Sequence, residues 1–307
     1  MEIREIGEDE LDGFAAVRNA VWPQDPLTVA DLVDWKQQAD TMAWFLATQS
    51  GAGVGTGVGI HGWHSPAGVG RLGVHVLPDA RARGTGSALL AHLGTWLGEH
   101  GCAEATASVF EEDAPSLAWA ERRGFTEVGR NSILALDLLA VDAPEVAAPP
   151  GVEIVTWAER PELVHGLYEV YAETAPDVPG EDEAEIPSFD DWLANDMQGA
   201  GDRPEATFVA VSGGTVVGYA KLSISRGDDH VAWHDLTGVR RDWRGRGIAG
   251  ALKRAQIAWA KTSGYRRLHT MNEERNEPVR RLNQRHGYQL EPGFVTIRGP
   301  LPTDRTA

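Results

Sequence analysis

Two stretches, Arg81-Ala82-Arg83-Gly84-Thr85-Gly86 and Arg244-Gly245-Arg246-Gly247-Ile248-Ala249, set arginines among closely spaced small residues. Each follows a run that reads as a strand, ending near Val76 and Val239, and precedes a run with helical apolar spacing. A tight turn into a helix start aims several unpaired backbone N–H groups, and the positive end of the helix dipole, at one point. A pyrophosphate is the natural occupant. Arg244 and Arg246 add charge and directed donors, and a side chain at Gly247 or Ala249 would block close approach of the phosphates. The bland alternative is a strand-to-helix loop with a merely convenient turn. Finding the pattern twice at corresponding positions argues against it.

The correspondence is an internal repeat. A constant offset aligns Phe45 with Phe208, Gly55 with Gly218, Val76 with Val239 and Arg81 with Arg244. It runs on through Gly84/Gly247, Trp96/Trp259, Pro115/Pro278, Gly124/Gly287 and Phe125/Tyr288 with no gap. Glycines, a proline and tryptophans in register indicate duplication. The expected organisation is a first domain over 1–141, a proline-rich extended linker over 142–151, and a second domain over 152–307.

Periodicity in the second copy predicts strands at 152–156, 207–211, 216–225, 232–239, 266–271 and 294–298. It predicts helices over 159–174, 190–197, 248–263 and 278–286. That order implies an α/β fold with a mixed, mainly antiparallel sheet and helices on both faces. Gly57 to Gly62 matches G-x-G-x-x-G, but Trp63-His64-Ser65-Pro66 follows where a dinucleotide site needs a helix. His230 and His234 have the spacing of metal ligands on a helix, yet lie in a predicted strand, so no metal is expected.

With these elements placed, the chain resembles the GNAT superfamily of N-acetyltransferases over both copies. The resemblance rests on the strand running into each glycine loop, on Asn276 opening the helix after the next strand, and on the closing Gly287-Tyr288 and Gly124-Phe125. It implies two tandem GNAT-like domains, acetyl-CoA as co-substrate, and acetyl transfer to an amine by direct attack. It assigns acetyl-CoA contacts to Thr237, Gly238, Val239, Arg244 to Ala249 and Asn276, and in the first copy to Val76, Arg81, Arg83, Gly84, Thr85 and Gly86. Tandem members of the superfamily include mycothiol synthase, so acetylation of a cysteinyl sugar is one alternative acceptor.

The two copies differ where chemistry would occur. His234, Asp235 and Thr237 stand against Arg71, Leu72 and Val74, Asn276 against Asp113, and Asn283 against Ala120. The second copy is therefore expected to be catalytic, and the first structural or CoA-binding without turnover. A backbone N–H near Val239 would polarise the thioester carbonyl. The amine needs a base, with Asp235 first, His234 second and Glu273 third. Many relatives carry a tyrosine where this chain has Asn283, which is no acid; Tyr219 or a water is then the expected proton source. Loss of that tyrosine also keeps open a reading from another class, a non-catalytic acyl-CoA-binding or scaffold protein.

A formal charge of −17 argues against nucleic acid and mildly for cationic partners. Asp177, Glu181, Asp182, Glu183, Glu185, Asp190 and Asp191 cluster between the first two helices of the second copy. The run is either a solvated loop or a recruiter of a cationic acceptor; Trp63 and Trp233 are candidates to line the acceptor pocket. A single cysteine, Cys102, fits a reducing cytoplasm. No apolar run reaches the ~20 residues needed to span a bilayer. Monomer and homodimer both remain open.

Overall fold

The computed structural model describes residues 1–302 apart from 24–25, 63–64, 179–185, 200, 225–226, 229 and 274–275. The chain forms two compact units, one of Met1–Arg130 with Phe294–Ala307, the other of Asn131–Gly293.

The first unit runs β1 (Glu2–Ile6), α1 (Leu11–Val21), α2 (Val29–Gln38), β2 (Thr41–Gln49), β3 (Ala52–His61), β4 (Val69–Val76), α3 (Thr85–Glu99), β5 (Glu104–Phe110) and α4 (Ala114–Glu121). It then enters β6 (Thr126–Asp137). Alternation in β2 assigns the faces. Trp44 and Leu46 pack with Leu11, Phe14 and Leu32 of α1 and α2, while Phe45 and Ala47 pack with Leu89 and Leu93 of α3. Gly57 and Gly59, which match the dinucleotide pattern, lie inside β3; a Cβ on Gly59 would sit 2.9 Å from Trp96 Cε3. These glycines let α3 close on the sheet.

The second unit runs β7 (Glu153–Thr156), α5 (Val164–Thr174), α6 (Phe189–Trp192, continued by a π-helical turn Leu193–Met197), β8 (Asp202–Ser212), β9 (Thr215–Ile224), β10 (Val231–Val239), α7 (Ile248–Thr262), β11 (Arg267–Glu273), α8 (Glu277–Arg285) and β12 (Gln289–Pro300). Here Val209 and Val211 face Leu167, Val170 and Trp192 of α5 and α6, and Phe208 and Ala210 face Leu252 of α7. The duplication thus repeats one layering, a mixed sheet with helices on both faces.

The units do not divide at 142–151. The second half of β6 pairs antiparallel with β11, from Asn131↔Glu273 to Asp137↔Arg267. The second half of β12 pairs antiparallel with β5, from Phe294↔Phe110 to Pro300↔Glu104. Residues 131–141 therefore belong to the second unit and 294–302 to the first. Each unit takes its closing strand from the other copy's stretch of sequence. Leu134 and Leu136 bury their side chains in one unit, Val295 and Ile297 in the other. The exchange satisfies the backbone edges of β5 and β11, which would otherwise be unpaired.

The feature that positions the sites is a fork. Among the described residues, β4 and β5 pair in parallel at 69–71 with 104–106 alone, and β10 and β11 at 231–234 with 267–270 alone. Beyond those pairs β4 and β10 remain bonded to β3 and β9. One edge of 72–76 and one edge of 235–239 thereby face an opening rather than a strand.

Candidate active site

The phosphate loop sits at the end of each fork. Gly84 and Gly247 are the N-caps of α3 and α7 at φ 87° and 83°, a left-handed conformation that favours glycine. No side chain caps either helix, so the first N–H groups of α3 and α7 are left to other partners. Cβ atoms built on Gly84, Gly245 and Gly247 would meet nothing within 4 Å, so the space above each loop is open. These observations fit a pyrophosphate held by backbone donors. Thr85 and Ile248, the first helical residues, are buried, and their backbone belongs to the loop.

The arginines play different parts from one another. Arg81 Nε donates to Val76 O at 3.1 Å, and Arg244 Nε donates to Val239 O at 3.0 Å. Both brace the loop against the strand before it. Arg244 also donates to Asp177 Oδ2 at 2.5 Å, beside Arg241 on Oδ1 at 2.8 Å. Hydrogen bonds from Arg241 and then Arg244 hold the Asp177 carboxyl below its usual range. Asp177 is thus engaged by the loop rather than offered to an acceptor. Asp191 likewise serves its own helix start with Ser188. Glu181, Asp182, Glu183 and Glu185 lie outside the described residues. Arg246 lies 4.6 Å over the Trp243 ring and is exposed with Gly245; in the first unit Arg83 is exposed on its own loop.

Asn276 and Asp113 occupy the N-caps of α8 and α4. Asp113 accepts from Ser116 N at 3.1 Å and Ser116 Oγ at 2.6 Å, the usual capping arrangement. Asn276 makes no such bond, so its amide is left for another partner.

β10 carries a bulge between His234 and Thr237, at the mouth of the fork. Its alternation separates the two leading base candidates. His234 points toward α7 and is buried, with Nδ1 3.0 Å from Gln256 Oε1 and Nε2 hydrogen-bonded to the Tyr288 hydroxyl. Because Gln256 Oε1 can only accept, the ring proton is on Nδ1 and Nε2 accepts from Tyr288. Burial, and then the nearby Lys253, hold the His234 pKa well below its ordinary value. His234 is a locked interior residue.

Asp235 points the other way and is 48% exposed. Its Oδ2 lies 2.7 Å from Lys221 Nζ and accepts from Ser223 Oγ at 3.2 Å. Lys221, 5% exposed, also donates to Asp202 Oδ1 at 2.8 Å and to the carbonyl of Asp196. Burial works against its charge, but Asp235 and Asp202 outweigh it and hold the ammonium above its ordinary value. Burial raises the Asp202 carboxyl, against the pull of Lys221. Trp233 lies on the Asp235 face, edge-on to His269 with centroids 4.8 Å apart. Trp63 and the side chain of Glu273 lie outside what is described.

Tyr219 is on this face too, but 1% exposed beneath Trp192 and Val170. Burial, and then Asp235, push its pKa well above the ordinary range. It is a core residue. Asn283 is buried on α8; Nδ2 donates to Asn272 Oδ1 at 2.8 Å, and Oδ1 has no partner among the described residues. Thr237 is half-buried on the open edge. A Cβ on Gly238 would come 2.6 Å from Thr174 Oγ1, so glycine there lets α5 pack closely.

Two buried lysines were not singled out in the sequence. Lys221 shares strand parity with Tyr219, and Lys253 lies three residues before Gln256 on the inward face of α7. Either parity would have marked them as inward-facing cations. Lys253 is 2% exposed, 5.3 Å over the Tyr288 ring, and burial takes its pKa down to about 7. The first copy has Leu90, Leu93, Phe125 and Ala120 where the second has Lys253, Gln256, Tyr288 and Asn283.

The family model described as Acetyltransferase (GNAT) family matches residues 5–125 and again 164–288. The chain is a member of the GNAT acetyltransferase family. Both matches contain a fork, a glycine loop and the helix that follows it. The aminoglycoside N(6')-acetyltransferase type 1 of Salmonella typhimurium is 30% identical over 138 residues, 42% of this chain and 94% of that protein. A GCN5-related N-acetyltransferase structure from Sphaerobacter thermophilus superposes with TM-score 0.77 at 19% identity, covering 98% of this chain and 96% of that one. A tandem GNAT protein from the clavulanic acid biosynthesis pathway gives TM-score 0.77 at 20% identity, covering 99% of both chains. The tandem GNAT architecture therefore extends over the whole fold. GNAT enzymes use acetyl-CoA and an acceptor, and each fork of this chain has a glycine loop and an open strand edge. No described helix is long and apolar enough to cross a membrane.

Proposed function

We propose that the second unit transfers an acetyl group from acetyl-CoA to a primary amine of a small cationic molecule, and that the first unit is a scaffold that retains a CoA-binding loop. The observation that carries this reading is the asymmetry at the forks: Asp235, Thr237, Asn276 and Asn283 in one, Leu72, Val74, Asp113 and Ala120 in the other.

When bound, acetyl-CoA supplies an activated thioester. The backbone from Arg244 to Ala249 would hold its pyrophosphate, and the open edge of 235–239 would line its pantetheine arm. Backbone N–H groups on that edge, near Val239, would polarise its carbonyl. Asp235 meets the incoming amine on the α5 side of the sheet and receives its proton directly or through water. Asn283 is fully buried with its Nδ2 on Asn272, so in this reading it shapes the α8 side of the site from within rather than reaching the sulfur. With Tyr219 and His234 both interior, water is the proton source this reading favours for the thiolate.

The acceptor class is supported by the half-exposed Asp235 beside Trp233, by the net charge of −17, and by the name of the 30% identical relative. The lone buried Cys102 agrees with a cytoplasmic setting. The test is thiol release from acetyl-CoA across kanamycin, glucosamine, spermidine and a cysteinyl amino sugar. Release with a cationic amine supports the reading. Binding of acetyl-CoA without release by any amine would favour a CoA-binding scaffold.

A further inference from the structure

Lys221 is an expensive residue to place inside a sheet. Removing an ammonium from water costs several kcal/mol, which its partners must offset. The same fold manages without it: the first copy has Val58 at the matched position, with Leu72 for Asp235 and Ile60 for Ser223. In that copy Val58 and Ile60 are core residues packed beneath α1 and α2. Stability of the architecture therefore does not require this polar cluster.

All three protons of the Lys221 ammonium are used, on Asp196 O, Asp202 Oδ1 and Asp235 Oδ2. Asp202 is fixed from its other oxygen by the Gly199 N–H at 2.8 Å. Asp235 is held on Oδ2 alone, by Lys221 and Ser223. Its Oδ1 has no protein partner among the described residues, on a carboxylate that is half exposed at the bulge of β10.

We propose that Lys221 is a positioning residue for the acceptor: anchored by Asp202, it pins Oδ2 of Asp235 so that Oδ1 is presented outward as the anchor for the acceptor's ammonium group. The inference rests on the acetyl-transfer reading above. Lys221 does not touch the acceptor. It acts through Asp235, and so fixes where the acceptor's ammonium is held and where it gives up its proton, without touching the thioester. Trp233, on the same face, supplies a flat apolar wall beside that point, suited to a saccharide ring or alkyl chain carrying the amine.

The test is a double-mutant cycle with kanamycin as acceptor, using Lys221→Met, Asp235→Asn and the double variant. Each single change is expected to raise the kanamycin KM by about tenfold or more, the loss of one charge-assisted contact. The acetyl-CoA KM should stay within about twofold of wild type, since the loop is untouched. The double variant should be no worse than Asp235→Asn. Additive losses, or acetyl-CoA and kanamycin KM rising together, would overturn the proposal, because a merely structural lysine predicts one or the other. If Lys221→Met does not fold, Lys221→Met/Asp202→Asn, which removes both buried charges, takes its place. If the wild type releases no thiol with any amine, the acetyl-transfer reading falls alone. Calorimetric binding of kanamycin then reads the same cycle, with an affinity unchanged by Lys221→Met or Asp235→Asn counting against the ammonium anchor.

Discussion

Ala82 and Gly245 hold the same left-handed backbone position in the two phosphate loops, at φ 57° and 73°. The next glycines, Gly84 and Gly247, match as well, at 87° and 83°. A Cβ in that region costs roughly 1 kcal/mol. Ala82→Gly is therefore expected to stabilise the first unit by up to about 1 kcal/mol, read as a higher urea midpoint. Gly245→Ala should fold and keep acetyl-CoA binding, since its Cβ would meet open space. A loop that loses its ligand on Gly245→Ala would show that the turn tolerates less than its twin already displays.

Asn276 and Asp113 should separate under the same substitution. Asp113→Ala removes a real cap and should cost about 1 kcal/mol in thermal unfolding. Asn276→Ala removes no cap bond, so its stability change should be smaller, while the acetyl-CoA KM rises. Equal stability losses with unchanged KM would mean that Asn276 is only a helix start.

The loops were legible in the sequence because their glycines answer to a backbone requirement that few other residues meet. The layering was legible because β2 and β8 alternate cleanly between two helical faces. The closing strands were not. The stretches 131–137 and 294–300 have similar apolar alternation, and pairing partners depend on contacts far away in sequence, so periodicity alone could not show the exchange. The split between His234 and Asp235 was available from strand parity, but which of the two is buried required α5, α6 and α7 to be in place. Lys221 was hidden in the apolar run of β9, where a single lysine reads as solvent-facing until its parity is compared with Tyr219.

Lys253 sets a pH dependence whose sign follows from its environment. A lysine near 10.5 in the unfolded chain titrates at about 7 in the folded unit, where His234, His286 and Tyr288 are titratable neighbours. Between those values the unfolded chain binds more protons, so stability rises with pH across that window. Below pH 7 the penalty is fully present. Lys253→Met should gain up to the order of 4 kcal/mol at pH 6, with the gain shrinking through pH 9 in chemical denaturation. A gain independent of pH would mean that the lysine reaches water in the folded state.

Asp177 is paired to Arg241 and Arg244 on a partly exposed rim. Asp177→Asn should therefore alter the acetyl-CoA KM, by freeing two loop arginines, and leave the acceptor KM alone. Because surface pairs contribute only about 0–1 kcal/mol, its effect on stability should be small. A change confined to the acceptor KM would return Asp177 to the acceptor side.

The central claim is that one of two similar forks turns over. Gly84→Val and Gly247→Val place the same β-branched side chain at the same left-handed position of each loop. Thiol release from acetyl-CoA, with the best amine of the panel, compares them directly. Gly247→Val should abolish release, and Gly84→Val should leave most of it. Release lost with Gly84→Val and retained with Gly247→Val would place the chemistry in the first unit and contradict the account.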